Sequence, residues 1–160
     1  MDKKIIIKDK KTDIRSNLYH YPEQFFDHKF QVIYINQLYL NIDFEHSKQF
    51  KGELNKKLNS YKQQDISKKI FDSDKLISLD EIIEKVLCSK LICHYCSKKI
   101  YIVYKNQREK SQWTLDRIDN SIGHHNDNVL ICCLDCNLKR RRLDKDKFLF
   151  TKKMNLIKLD

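Results

Sequence analysis

Residues 93–142 read CHYCSKKIYIVYKNQREKSQWTLDRIDNSIGHHNDNVLICCLDCNLKRRR, and this stretch decides the fold. It places two Cys-x-x-Cys knuckles, Cys93/Cys96 and Cys133/Cys136, around a polar centre. Each short knuckle turns the backbone so that both sulfurs face one ion, so four thiolates in two such pairs suit tetrahedral Zn2+. The segment between them, residues 97–132, is longer than the roughly 15–20 residues of a common zinc ribbon. Zinc is therefore expected to clamp the base of an inserted unit whose polar residues do something else.

Outward from the knuckles, Ile100–Tyr104 reads as a short strand and Lys105–Gln112 as a charged, mobile loop. Trp113–Asp116 reads as a first strand, Ser121-Ile122-Gly123 as a turn, and Asn128–Cys132 as the returning strand. Leu134–Asp144 follows as a helix, and Lys147–Leu159 as a terminal helix with Phe148, Leu149 and Leu156 inward. Of the two remaining cysteines, Cys132 lacks the two-residue spacing to Cys136 that Cys133 has, and Cys88 reads as a small buried hydrophobe on a helical face.

The order of these parts resembles the HNH endonucleases of the ββα-metal superfamily. Trp113 to Asn120 (WTLDRIDN), Gly123, Asn128-Val129, and Cys-x-x-Cys-Asn with a basic residue three positions on carry the likeness. It is closest in form to the zinc-knuckle branch, similar to phage and large-DNA-virus members, and covers about the last 65–70 residues. The resemblance implies an α+β fold, a ββα unit clamped by the four-cysteine zinc site, and hydrolysis of phosphodiester bonds in DNA with Mg2+ or Mn2+. Asp116 then matches the metal ligand on the strand and Asn137 the ligand on the helix, while Asn128 matches the asparagine that pins the loop. The histidine that activates water in the family is replaced here by Arg117, which stays protonated near neutral pH and cannot act as a base. Asp119, His124 and His125 are the candidates for that role, a histidine having the better intrinsic pKa. Of Lys139, Arg140, Arg141 and Arg142, Arg140 occupies the family's basic position and Arg141 lies one turn beyond Asn137. These two are the expected phosphate contacts. A rival reading, a nucleic-acid-binding module that keeps the scaffold and has lost hydrolysis, rests on Arg117. A protein-interaction zinc domain explains the cysteines but neither the basic helix nor the polar centre.

Charge supports a polyanionic partner. The net charge is +10, of which residues 1–89 hold +2 (16 basic against 14 acidic) and residues 90–160 hold +8 (16 against 8). A polyanion facing the C-terminal half is what this implies, and the resemblance makes it nucleic acid, DNA first; a membrane is not expected, since no apolar stretch approaches spanning length. Ile5–Ile7 is followed at once by Lys8-Asp9-Lys10-Lys11, far short of a secretory h-region. The expected compartment is intracellular, the cytoplasm or nucleus of the host cell for a viral protein, where reduced thiolates favour metal over disulfide.

Residues 1–89 are read as an N-terminal arm, hairpin and helical region of unknown role, and 90–160 as the zinc-bound unit. Residues 1–28 are expected to be an extended arm, with Pro22 breaking any helix there. Residues 30–35 and 38–44, rich in β-branched and aromatic side chains around Asn36-Gln37, predict a β-hairpin. From Ser47 to Lys69 the spacing of Phe50, Leu54, Leu58 and Tyr61 predicts a helix with Lys51, Lys56, Lys57 and Lys62 on a solvated face. Ser78-Leu79-Asp80-Glu81 has the form of a capping box opening another amphipathic helix. Trp113 and Tyr95 are expected to be small-core residues.

Overall fold

The computed structural model describes residues 21–154. The expected terminal arm up to residue 20, and Leu156 of the expected last helix, lie outside the described residues. A short 3-10 turn, Glu23–Phe26, leads into α1 (His28–Tyr39), α2 (Ser47–Ser67) and α3 (Leu79–Cys88). The chain then passes through the knuckle region to β1 (Trp113–Arg117), β2 (Val129–Cys133), α4 (Leu134–Arg140) and α5 (Lys145–Lys153). The fold is mixed α+β, with five α-helices and one two-stranded antiparallel sheet among the described residues. The strands pair in the register Asp116↔Leu130 and Arg117↔Val129, and α4 packs on both of them.

No hairpin forms at residues 30–44, which instead contribute most of α1 and the turn after it. Their β-branched residues favour strand only weakly. Gln31, Tyr34 and Ile35 recur on one helical face, and burying them against α3 and Phe25 outweighs that preference. Asp27 caps the start by accepting from Lys29 N at 2.8 Å. Asn36 and Gln37 lie inside the helix. The described end of the expected extended arm is not extended: Pro22 precedes the 3-10 turn Glu23–Phe26, and His28 opens α1.

Three helices stop in the same way without a glycine. Asn41, Lys69 and Lys90 take left-handed φ values of 54°, 59° and 52° just past α1, α2 and α3. In each case the next amide closes a bond back to the last turn: Ile42 N to Gln37 O, Ile70 N to Asp65 O, Leu91 N to Val86 O. The helix predicted from Ser47 forms with Phe50, Leu54 and Tyr61 buried, and Ser78 and Glu81 complete both halves of the capping box on α3.

The predicted strand Ile100–Tyr104 does not form; Tyr101 makes only a single bridge, to Gln112, and Lys99 just before it bridges Ile92. Its backbone is satisfied by a side chain instead. Gln31, fully buried on α1, accepts from Ile102 N (2.7 Å) and Val103 N (3.2 Å) and donates to Val103 O (2.9 Å) and Phe25 O (2.7 Å). A continuous apolar core therefore runs from Phe25 and Ile35 through Ile82 and Val86 to Ile102, Trp113 and Phe148. Tyr95 and Trp113 are buried in it. Cys88 is not: it is exposed at the end of α3.

The helix after the second knuckle is shorter than its sequence suggests. It ends at Arg140, Arg141 turns away with φ 51°, and Asp144 caps a new helix by accepting from Asp146 N and Lys147 N at 3.0 Å. No helix of the described chain is long and apolar enough to cross a membrane.

Candidate functional site

The sulfurs of Cys93, Cys96, Cys133 and Cys136 all lie within 4.8 Å of one another. Tetrahedral zinc with Zn–S near 2.3 Å needs sulfurs about 3.8 Å apart, and Cys96 Sγ lies 3.9 Å from Cys133 Sγ. The first knuckle sits at the tip of a tight turn in which Cys93 N donates to Lys98 O and Ser97 adopts a left-handed φ of 57°. Cys133 N donates to Cys93 Sγ and Cys136 N to Cys133 Sγ, both at 3.3 Å. Such bonds stabilise thiolates and orient them, as the outer shell of a metal site does. The four cysteines fit a metal such as zinc. Cys132 is turned the other way, against Thr114 Oγ1, and burial pushes its thiol well above the ordinary range.

On the far side of the sheet lies a cleft of about 400 Å3. Its floor is β1 from Thr114 to Arg117. One wall is α2, the other is α4 with the turn after it, and His124 lines it from the loop between the strands.

His124 is the best-placed reactive group. Its Nδ1 lies 2.7 Å from Asp65 Oδ1, and its backbone N donates to Asp65 Oδ2 at 2.7 Å. A carboxylate only accepts, so Nδ1 carries the proton and Nε2 keeps its lone pair; His124 is among the residues that line the cleft. Tyr61 packs over the ring with centroids 4.6 Å apart. Burial lowers the His124 pKa below its ordinary 6.5, with Arg117 and Lys68 acting in the same direction and Asp65 opposing. The imidazole is therefore neutral near pH 7 and able to take a proton.

The loop that delivers His124 is pinned from several sides. Asn128 Oδ1 accepts from Asp119 N at 2.9 Å, and its Nδ2 donates to Asp119 O (2.9 Å) and Gly123 O (3.0 Å). Arg117, also buried, donates from Nη1 to Asn120 O and Ile122 O at 3.3 Å, and lies 3.9 Å from Asp65 Oδ1. Gly123 presses on Asp65: a β-carbon there would fall 2.8 Å from Asp65 Oδ2 and from Ile70 O. The exposed Asp119 spends its carboxylate on Ser121 N (2.8 Å) and Ser121 Oγ (2.6 Å). His125 forms a bridge with Leu76 and is not among the residues lining the cleft.

Asp116 lines the cleft but is already engaged. Tyr95 donates to Oδ2 at 2.6 Å, Arg140 Nη2 donates to Oδ1 at 2.9 Å, and Arg140 Nε sits 2.6 Å from Oδ2. Arg140 also donates to Leu143 O at 2.6 Å and to Arg117 O. With 1 % of its surface exposed, Arg140 cannot contact a phosphate, which corrects the reading of its position in the motif: it points inward and neutralises Asp116. A hard divalent ion shared by Asp116 and Asn137 does not fit this arrangement. Both carboxylate oxygens are engaged, a guanidinium lies against them, and Asn137 Nδ2 donates to Thr114 Oγ1 and Leu115 O at 3.1 Å.

Arg141 and Arg142 are exposed on the turn after α4, Arg141 at the cleft. Lys139 faces outward and pairs with Asp135 at 2.7 Å. On the opposite wall, Lys57 donates to Trp113 O and lies 5.0 Å from the Trp113 ring centre, and burial pulls its pKa down to about 7. The sequence reading missed Asp65. A signal was present: Phe50, Leu54, Leu58 and Tyr61 form the apolar stripe of α2, and the next position of that stripe is an aspartate. Comparison with protein-family models, with curated proteins and with solved structures finds no match to this chain.

Proposed function

We propose that the chain is an HNH-type endonuclease that cleaves DNA, with His124 in the role that the motif usually gives to the residue at 117. The observation that carries this reading is the His124–Asp65 pair, buried, neutral at the imidazole and bordering a cleft that Lys68 and Arg141 also line. Asp65 fixes the tautomer, and His124 Nε2 takes a proton from water as the water oxygen attacks phosphorus. The bond from phosphorus to the leaving sugar oxygen then breaks, with that oxygen reprotonated from solvent. Arg117 is a positioning residue that holds the loop bearing His124, and its charge lies beside the reacting phosphate. The divalent ion that the resemblance implies finds no free carboxylate at Asp116, and no step is assigned to it. Zinc at the four cysteines would fix the start of α4, which forms one wall of the cleft, and the end of β2, which pairs with the floor strand β1.

The test is incubation of purified protein with supercoiled plasmid in magnesium, in manganese and in chelator. Wild type nicks the plasmid, and His124→Gln lowers the rate by about 10²–10⁴-fold, the usual contribution of a general base, with zinc content unchanged. Equal nicking by wild type and His124→Gln would overturn the assignment of the base. A second reading is favoured by one observation, the Arg140–Asp116 pair that occupies the carboxylate of the motif. On that reading the chain binds nucleic acid without hydrolysis, and wild type nicks nothing under any of the three conditions.

A further inference from the structure

The width of the cleft and the placement of its unpaired charges bear on which form of nucleic acid it holds. The wall formed by α2 and the residue that ends it presents Lys57, Ser60, Gln64 and Lys68 to the cleft, a spacing that lines one face of a helix. The half of the chain outside the motif therefore supplies an entire wall. The proposed chemistry lies at the bottom: His124 and Arg117 are 3 % and 7 % exposed. A volume of about 400 Å3 is on the scale of a small-molecule pocket, about 300–1,000 Å3, which accommodates a nucleotide or two. A duplex presents its phosphates on a stiff convex surface and would rest on the two rims, with its backbone held away from His124.

The charges at one end of the cleft are arranged to receive an anion. Lys68 at the end of α2 faces Arg141 and Arg142 from the turn after α4, and among the described residues no carboxylate pairs with any of the three. Burial lowers the Lys68 pKa, and Arg117 and Arg142 lower it further against the pull of Asp65, so Lys68 is close enough to Arg117 and Arg142 to be repelled by both. Lys139, on the outer side of α4, has its charge balanced by Asp135. Three cations without a carboxylate partner therefore stand together at this end of the cleft, where a phosphate would enter.

We propose that the cleft takes an unpaired DNA strand, threaded between α2 and α4 and gripped through its phosphates by Lys68, Arg141 and Arg142. The proposal rests on the nucleic-acid reading above but not on hydrolysis. It covers single strands, gaps, flaps and loops, and a nucleotide extruded from a duplex reaches the site only after the cost of unpairing.

The test uses the full zinc-loaded chain and fluorescence anisotropy with three labelled DNAs: a short single strand, its blunt duplex, and the same duplex with a central unpaired loop. At equal salt the single strand and the looped duplex bind at least about 10-fold tighter than the blunt duplex. The triple variant Lys68→Ala/Arg141→Ala/Arg142→Ala flattens the salt slope for the single strand by about two, from about 0.7 per phosphate contact. Lys139→Ala leaves the slope unchanged, and melting and zinc content confirm that the variants are folded. Equal or tighter binding of the blunt duplex, an unchanged slope in the triple variant, or no binding to any form overturns the proposal. Preferential single-strand binding without any cutting supports this inference while ending the nuclease reading.

Discussion

Asp65 and Asp116 are both buried aspartates beside one cleft, and their partners give them opposite roles. Asp116 is engaged: a tyrosine hydroxyl and a fully buried guanidinium occupy its oxygens, and the guanidinium balances its charge. Asp65 is matched instead to an imidazole that has a second nitrogen. Holding one nitrogen leaves the other uncommitted to Asp65, which is what the proposed base requires. The sequence motif singles out Asp116, while the geometry gives the reactive arrangement to Asp65, from a helix the motif does not include. A motif position therefore does not set a residue's role; its immediate partners do.

The sharpest way to break this contrast is to remove Asp116. If it is the structural member, Asp116→Ala strands Arg140 as an unpaired buried cation and costs about 3–5 kcal/mol. That lowers the melting temperature by about 10 °C for a chain of this size. A melting curve near that of wild type, with loss of metal-dependent nicking, would instead make Asp116 a metal ligand and reverse the comparison. A smaller effect is expected at Gly123, which touches Asp65 directly. Gly123→Ala drives a β-carbon into Asp65 Oδ2 and a backbone carbonyl, costing about 1–3 kcal/mol. It should lower the cutting rate more than a structural loss of that size accounts for, because the aspartate that orients His124 is displaced.

The smallest effect is in pH. A His124 pKa lowered in the folded state means that the unfolded chain binds the proton more readily. His124 therefore contributes stability above about pH 6.5 that is lost as pH falls through the lower folded value. The slope from this one group is at most about 1.4 kcal/mol per pH unit. Denaturant titrations of wild type and His124→Gln should converge toward acid pH in that window; parallel curves would mean that His124 is not buried neutral.

The four cysteines could be read directly because each knuckle is a local pattern, and two local patterns suffice to name a tetrahedral site. The strand-strand-helix order was legible for the same reason. The Asp65–His124 pair was not, because its members lie 59 residues apart and only the packing of α2 against the inter-strand loop joins them. Arg140 misled because neighbouring residues on a helix differ in direction by about 100°, so a basic residue in a run of four can face either the solvent or the core. At residues 30–44, side-chain type pointed to strand while the spacing of Gln31, Tyr34, Ile35 and Leu38 already fitted a helix. The core contacts made by that spacing outweighed residue type.

The Gln31 side chain also carries a consequence for which parts of the chain open together. The amides of Ile102 and Val103 belong to no ladder, and by secondary structure alone they would count as freely exchanging loop. Their acceptor, however, is an oxygen fixed on α1 in the middle of the core. They can reach solvent only when α1 detaches, so in deuterium exchange they should be as slow as the interior amides of α1 and should lose protection in step with them, as one cooperative unit. Gln31→Leu would keep the helix and free those two protons, uncoupling the first helix from the segment next to the zinc knuckle.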